Sequence, residues 1–189
     1  MIARRLFLLG FAAALVTAFG CSSSDDGGGG GGNPTPAIVC TDGGAAPANG
    51  VNLKCGGATS TTTEQVVVTM GGPASGTTTL RGLNFDVTYD PALLDYVPAA
   101  TPQSPLFPNA LVAVTLENGV PGILVVSIQQ PGTALNVGVG PGQHPVMTLT
   151  FTRAAGMSFP PTPLAFENFE ATSASAAVAF SSSLALSYP

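Results

Sequence analysis

One imidazole, ten carboxylates and three cysteines are the residues of this 189-residue chain whose types could do chemistry. Nucleophilic hydrolysis needs a base beside its nucleophile, and His144 is the single histidine. It stands in the glycine- and proline-rich stretch NVGVGPGQHP and reads as a surface residue. A carboxylate pair for glycoside hydrolysis would have to come from Asp86, Asp90, Asp95, Glu117, Glu167 and Glu170. Glu167 and Glu170 flank Phe169 in a short segment and read as a solvated edge. NVGVGPG lacks the lysine and the following helix that let a glycine-rich loop cradle phosphate. Carbonyls with Asp86 or Asp90 could be imagined around calcium, but no ligand cluster of the needed density is visible. No catalytic residue, metal or cofactor is therefore expected, and the chain reads as a non-enzyme. Lys54 is the only lysine, and five Lys and Arg stand against ten Asp and Glu. No basic patch for nucleic acid can be assembled from that set.

The elements that must position these residues begin after an export signal. Residues 1–20 carry Arg4-Arg5 and then the apolar run LFLLGFAAALVTAF, the charged and hydrophobic regions of a secretory signal. With Ala18-Phe19-Gly20 before Cys21, the stretch resembles a bacterial lipoprotein signal peptide. That resemblance implies that Cys21 becomes the N-terminus and carries acyl chains. Each buried methylene adds about 0.8 kcal/mol of membrane affinity, so the implied location is the bacterial envelope, at the outer membrane, facing periplasm or exterior. Residues 21–36 continue as the lipidated cysteine and a glycine- and serine-rich tether, SSSDDGGGGGGNPTP. Cys40 and Cys55 remain once Cys21 is assigned to lipid, and two cysteines in an exported chain most often pair. Between them lies the turn-rich TDGGAAPANGVNLK.

Residues 37–189 form the expected domain. With 8% charged residues, 24 Gly and 17 Pro, short strands joined by turns are favoured over helices. In LRGLNFDVTYDPALLDYV, Leu83, Phe85, Val87 and Tyr89 alternate with Asn84, Asp86 and Thr88, the period of a half-buried strand. Asp90-Pro91 ends it, and the next four residues read as a single helical turn returning Leu93 and Leu94 to the core. Residues 110–117 and 122–129 read as a hairpin across Asn118-Gly119. Residues 131–145 read as a loop. In residues 146–153, Met147, Leu149 and Phe151 alternate with Thr148, Thr150 and Thr152. Residues 164–171 and 176–188 supply the last segments. The expected fold is all-β, an antiparallel jelly-roll sandwich of about nine strands.

FDVTYDPALLDYV, followed by GILVVSIQQ, HPVMTLTFTRAAG and PLAFENFEATSA, resembles the cohesin family and its carbohydrate-binding-module relatives. The similarity spans residues 51–188. Phe85, Tyr89, Asp90, Pro91 and Leu94 carry the family's strand-exit motif and are given a structural role. The resemblance implies a nine-stranded jelly roll that holds calcium-loaded dockerin modules. Gln143-His144-Pro145 stands where the family usually has glycine and small residues.

Two binding classes follow. Modules that hold crystalline polysaccharide use a row of exposed aromatic rings, but Trp is absent. Phe85, Phe151, Phe166 and Phe180 fall on apolar alternation, and Tyr89, Tyr96 and Tyr188 read as core or strand ends. Asn84, Asp86, Thr88, Thr148, Thr150 and Thr152 are expected to make one flat, polar face suited to docking a protein. The reading is an envelope-anchored, non-catalytic module that docks a protein partner of dockerin type. The alternative is a carbohydrate-binding or structural surface lipoprotein.

Overall fold

The computed structural model describes residues 35–132, 136–154, 156, 158–173, 179–180 and 184–189. The expected signal sequence, Cys21 and the expected tether up to residue 34 lie outside the described residues.

Alternating apolar residues separated by Gly, Pro and Asn give twelve strands among the described residues: β1 (Val39–Thr41), β2 (Gly50–Ser60), β3 (Thr63–Gly71), β4 (Thr78–Thr88), β5 (Leu94–Val97), β6 (Leu111–Leu116), β7 (Ile123–Gln129), β8 (Val137–Val139), β9 (Gln143–Arg153), β10 (Phe159–Ser173), β11 (Ala179–Phe180) and β12 (Leu184–Tyr188). They form two sheets, ordered β1-β12-β10-β4-β7-β6, with β8 also on β4, and β11-β2-β3-β9-β5. Strand pairs are antiparallel except the two-residue β11 beside β2. The architecture is the expected all-β sandwich. The count exceeds nine because β1, β8 and β11 are too short, at three, three and two residues, to show a period.

β4 lies inside the first sheet, between β10 and β7. Its inward Leu83, Phe85 and Val87 are fully buried, with Tyr89 below them. At the exit, the Asp90 carboxylate accepts a bond from Ala92 N at 2.9 Å, and the Asp90 carbonyl accepts from Leu94 N at 3.0 Å. That turn drops Leu94 into the core at the start of β5, on the opposite sheet. Tyr89 meets Phe151 of β9 edge-on at 5.4 Å, so the corner is also where the two sheets are packed together. Such a ring pair adds about 0.5–1.5 kcal/mol beyond its buried area.

The hairpin forms as expected. Asn118 and Gly119 both take positive φ, 50° and 72°, the left-handed pair that matches strand twist. The expected loop over residues 131–145 is corrected in two places. Val137–Val139 pairs with Thr78, Thr79 and Leu80 of β4, and β9 already begins at Gln143, with His144 opposite Met70. Glycine and proline content hid both, because pairing partners far away in sequence supply the ladder that local propensity does not.

Candidate binding faces

Alternation separates inward from outward positions on each strand, but it does not say to which sheet a strand belongs. Asn84, Asp86 and Thr88 lie on β4, whereas Thr148, Thr150 and Thr152 lie on β9. β4 and β9 are in different sheets, so the six residues make two opposite faces, not the single face expected.

The β4 face is built from four adjacent strands. Opposite Asn84 stands Ser127 of β7, and opposite Ser127 stands Ala113 of β6. Glu170 and Glu167 of β10 stand opposite Asn84 and Asp86 on the other side. Asn84 Oδ1 accepts from Ser127 Oγ at 2.8 Å and from Gln129 Nε2 at 3.2 Å. Two donors on one oxygen fix the orientation of the Asn84 amide. Asp86 is held by Asn168 Nδ2 at 2.6 Å. Asn168 occupies a bulge between Glu167 and Glu170 and has a φ of 47°, a conformation asparagine tolerates better than most residues. The face thus carries an anchored amide beside an anchored carboxylate, flanked by two glutamates and by Leu111, which is 71% exposed. Glu167 and Glu170 are solvated as expected, but β10 is an interior strand and not an edge.

The β9 face is roofed at one end. Thr63 opposes Thr152, Gln65 opposes Thr150 and Val67 opposes Thr148. The Thr152 hydroxyl is spent internally, donating to the Thr62 carbonyl at 3.0 Å and accepting from Thr63 Oγ1 at 3.2 Å. Farther along, the outward positions Asn52 and Thr69 are only 2% and 6% exposed. Residues 42–49 cover them. Gln143 clasps Ala46 by both its carboxamide atoms, at 2.8 and 2.9 Å, and Asn52 Nδ2 donates to the Gly44 carbonyl at 3.1 Å. A Cβ on Gly71 would stand 2.2 Å from the Pro47 carbonyl oxygen, so glycine is required under this roof.

Cys40 and Cys55 are joined, with 5.8 Å between their Cα atoms. Asp42 orders the start of the roof, accepting from Gly44 N and Cys55 N at 2.9 and 2.8 Å. His144 Nε2 lies 2.9 Å from the Gly140 carbonyl and steadies the turn into β9. Phe85, Phe151, Phe166, Tyr89 and Tyr188 are buried and Tyr96 is half-buried; the Phe180 side chain lies outside the described residues.

Sequence reasoning missed three contributors. Ser127 and Gln129 were accessible from the alternation of GILVVSIQQ together with the hairpin register. Asn168 was not, because a bulge leaves no periodic trace. Glu64, 3% exposed on the inward side of β3, accepts from Gly57 N at 3.0 Å, and burial pushes its carboxyl above the ordinary carboxylate range. Among the described residues, no group of three or more His, Cys, Asp or Glu could hold a metal ion.

No protein-family model matches the chain, and no curated protein matches it significantly. Solved structures do. A crystal structure of CaCohA2 in complex with a CaDoc0917 variant matches with a TM-score of 0.50 at 15% identity, covering 71% of this chain and 95% of that one. The solution structure of CaCohA2 from Clostridium acetobutylicum matches with a TM-score of 0.49 at 13% identity, over 74% and 88% of the two chains. The sixth cohesin from scaffoldin B of Acetivibrio cellulolyticus, in complex with a Cel5 dockerin mutant, matches at 0.48 and 17% identity, over 71% and 95%. The fold of this chain is a cohesin-like β-sandwich.

Proposed function

We propose that this chain is an envelope-anchored, non-catalytic binding module that docks a protein partner of dockerin type on its β10-β4-β7-β6 face. The observation that carries the reading is the pre-oriented pair at the centre of that face, Asn84 held by Ser127 and Gln129, and Asp86 held by Asn168. Fixing polar side chains before binding lowers the entropy cost of association. The opposite face is the poorer candidate because residues 42–49 roof one end of it. The fold agrees, since the CaCohA2 neighbour is seen in a complex with CaDoc0917. A glycan reading has no comparable support, because the described aromatic side chains are buried or half-buried. Cys21 supplies the lipid anchor at the outer membrane and residues 22–36 the spacer.

The test is a pull-down from the source organism's secreted and envelope proteins, with calcium and again with chelator. A calcium-dependent protein retained by the unmodified bait, lost on Asn84→Ala with Asp86→Ala and kept on Thr148→Ala with Thr150→Ala, supports the reading. Retention unaffected by the first pair moves the site to the other face, and an empty bait in both conditions removes the protein-docking reading. Cys21→Ala is expected to abolish acylation; unchanged lipid labelling would remove the anchor.

A further inference from the structure

The sheet margins are not equally protected. β1 has three residues, β11 has two, and β5 has four that include Asp95 and run into Pro98. β6 is different. Its six residues, LVAVTL, contain no charge, proline or glycine, and they pair with β7 at every position without a register break. Natural sheets blunt an exposed edge with lysine, proline, a bulge or short length, and β6 uses none of these. Beyond β7, no described main-chain group bonds to β6. The inward residues Val112, Val114 and Leu116 pack against the core yet are only half-buried, so the sandwich is apolar and open along this margin.

We propose that β6 is a self-association edge, where a second copy of this chain adds its own β6 antiparallel to form a two-fold dimer. A two-fold axis perpendicular to the sheet keeps inward residues opposite inward residues. Centred on Val114, the pairing sets Val114 against Val114 and Val112 against Leu116 on the core side. On the outer side it sets Ala113 against Thr115. Every core-side pair is aliphatic, each half-buried residue gains the cover it lacks, and no like charges meet. The chain's own tether is a poor occupant, since SSSDDGGGGGGNPTP has no apolar side chains to fill the open margin and six consecutive glycines that cost the most entropy to order. The edge is uncharged in a chain of net charge −5, so association is expected to strengthen with salt, which screens the repulsion between copies.

The experiment is light scattering on the full chain in detergent, with the detergent mass subtracted, from low to several hundred micromolar. A dimer that grows with protein concentration and with salt is expected. Thr115→Lys places a charge in solvent on the unbound protein, but in the dimer it lies across Ala113 of the copy and diagonal to the copy's own lysine on the same outer face. It is expected to weaken association about tenfold or more while leaving melting unchanged. Cysteines placed together at Ala113 and Thr115 are expected to cross-link two copies on oxidation. A monomer at every concentration overturns the proposal, as does a dimer indifferent to Thr115→Lys. Asn84→Ala with Asp86→Ala leaves the dimer intact, which separates this edge from the docking face.

Discussion

Cys40 belongs to β1 in one sheet and Cys55 to β2 in the other, so the bond between them staples the sandwich across its two layers. It also closes the segment that roofs the β9 face. Both effects constrain the same stretch of chain, and the sequence separation is 15 residues.

Removing this bond is expected to lower stability by about 3 kcal/mol, the chain-entropy value for a loop of this length. At about 2–4 °C per kcal/mol for a domain of this size, Cys40→Ala with Cys55→Ala lowers Tm by about 6–12 °C. The sheets persist, because Gln143, Asn52 and Asp42 still hold residues 42–49. Thermal melting with and without reductant measures this; equal melting curves would show that the bond contributes nothing.

Asp90 caps the turn that follows β4. Asp90→Ala, which loses the bond to Ala92 N, is expected to cost about 1 kcal/mol. Asp90→Asn keeps an acceptor there and is expected to stay close to the unmodified protein. If Asn fails as badly as Ala, the charge itself matters and the capping account is wrong.

Gly72 has no room for a side chain. Its backbone N–H donates to the Gly142 carbonyl at 2.7 Å, and a Cβ would stand 1.7 Å from the Gly140 oxygen. Gly72→Ala is expected to destabilise by about 1–3 kcal/mol by forcing β3 away from the turn before β9. Gly140→Ala, where a Cβ meets nothing within 4 Å, is the matched control and is expected to stay within about 0.5 kcal/mol. Urea unfolding of the two variants side by side decides it.

Glu64 makes stability depend on pH with the sign opposite to most acidic residues. Burial disfavours its charged form, so the folded chain holds this proton more tightly than the unfolded chain does. Its contribution is most favourable below the ordinary carboxylate range and is lost as pH rises through the raised value. Glu64→Gln retains an acceptor for Gly57 N–H and carries no charge. The variant is expected to melt higher than the unmodified protein at neutral pH, with the gap closing in acid. A gap that widens in acid reverses the sign and refutes this assignment.

The strand cores were legible because Leu83, Phe85 and Val87 repeat with period two, and burial of a half-wet strand demands that period. Asn118-Gly119 was legible because few residue pairs accept positive φ at both positions. Short strands such as Val137–Val139 were not, since three residues carry no period and their ladder depends on Thr78, Thr79 and Leu80 far upstream.

By itself the sequence determined which side chains of each strand face out, where the main turns fall and that Cys40 and Cys55 are available to pair. Those properties depend on neighbours a few residues apart and on simple counting. The tertiary structure alone decided that Asn84 and Thr150 face opposite ways, that residues 42–49 cover one face, and that Asn168 reaches Asp86 from 82 positions away. The physical reason is that sheet membership and register are set by contacts between distant segments. Local alternation is identical whichever sheet a strand joins.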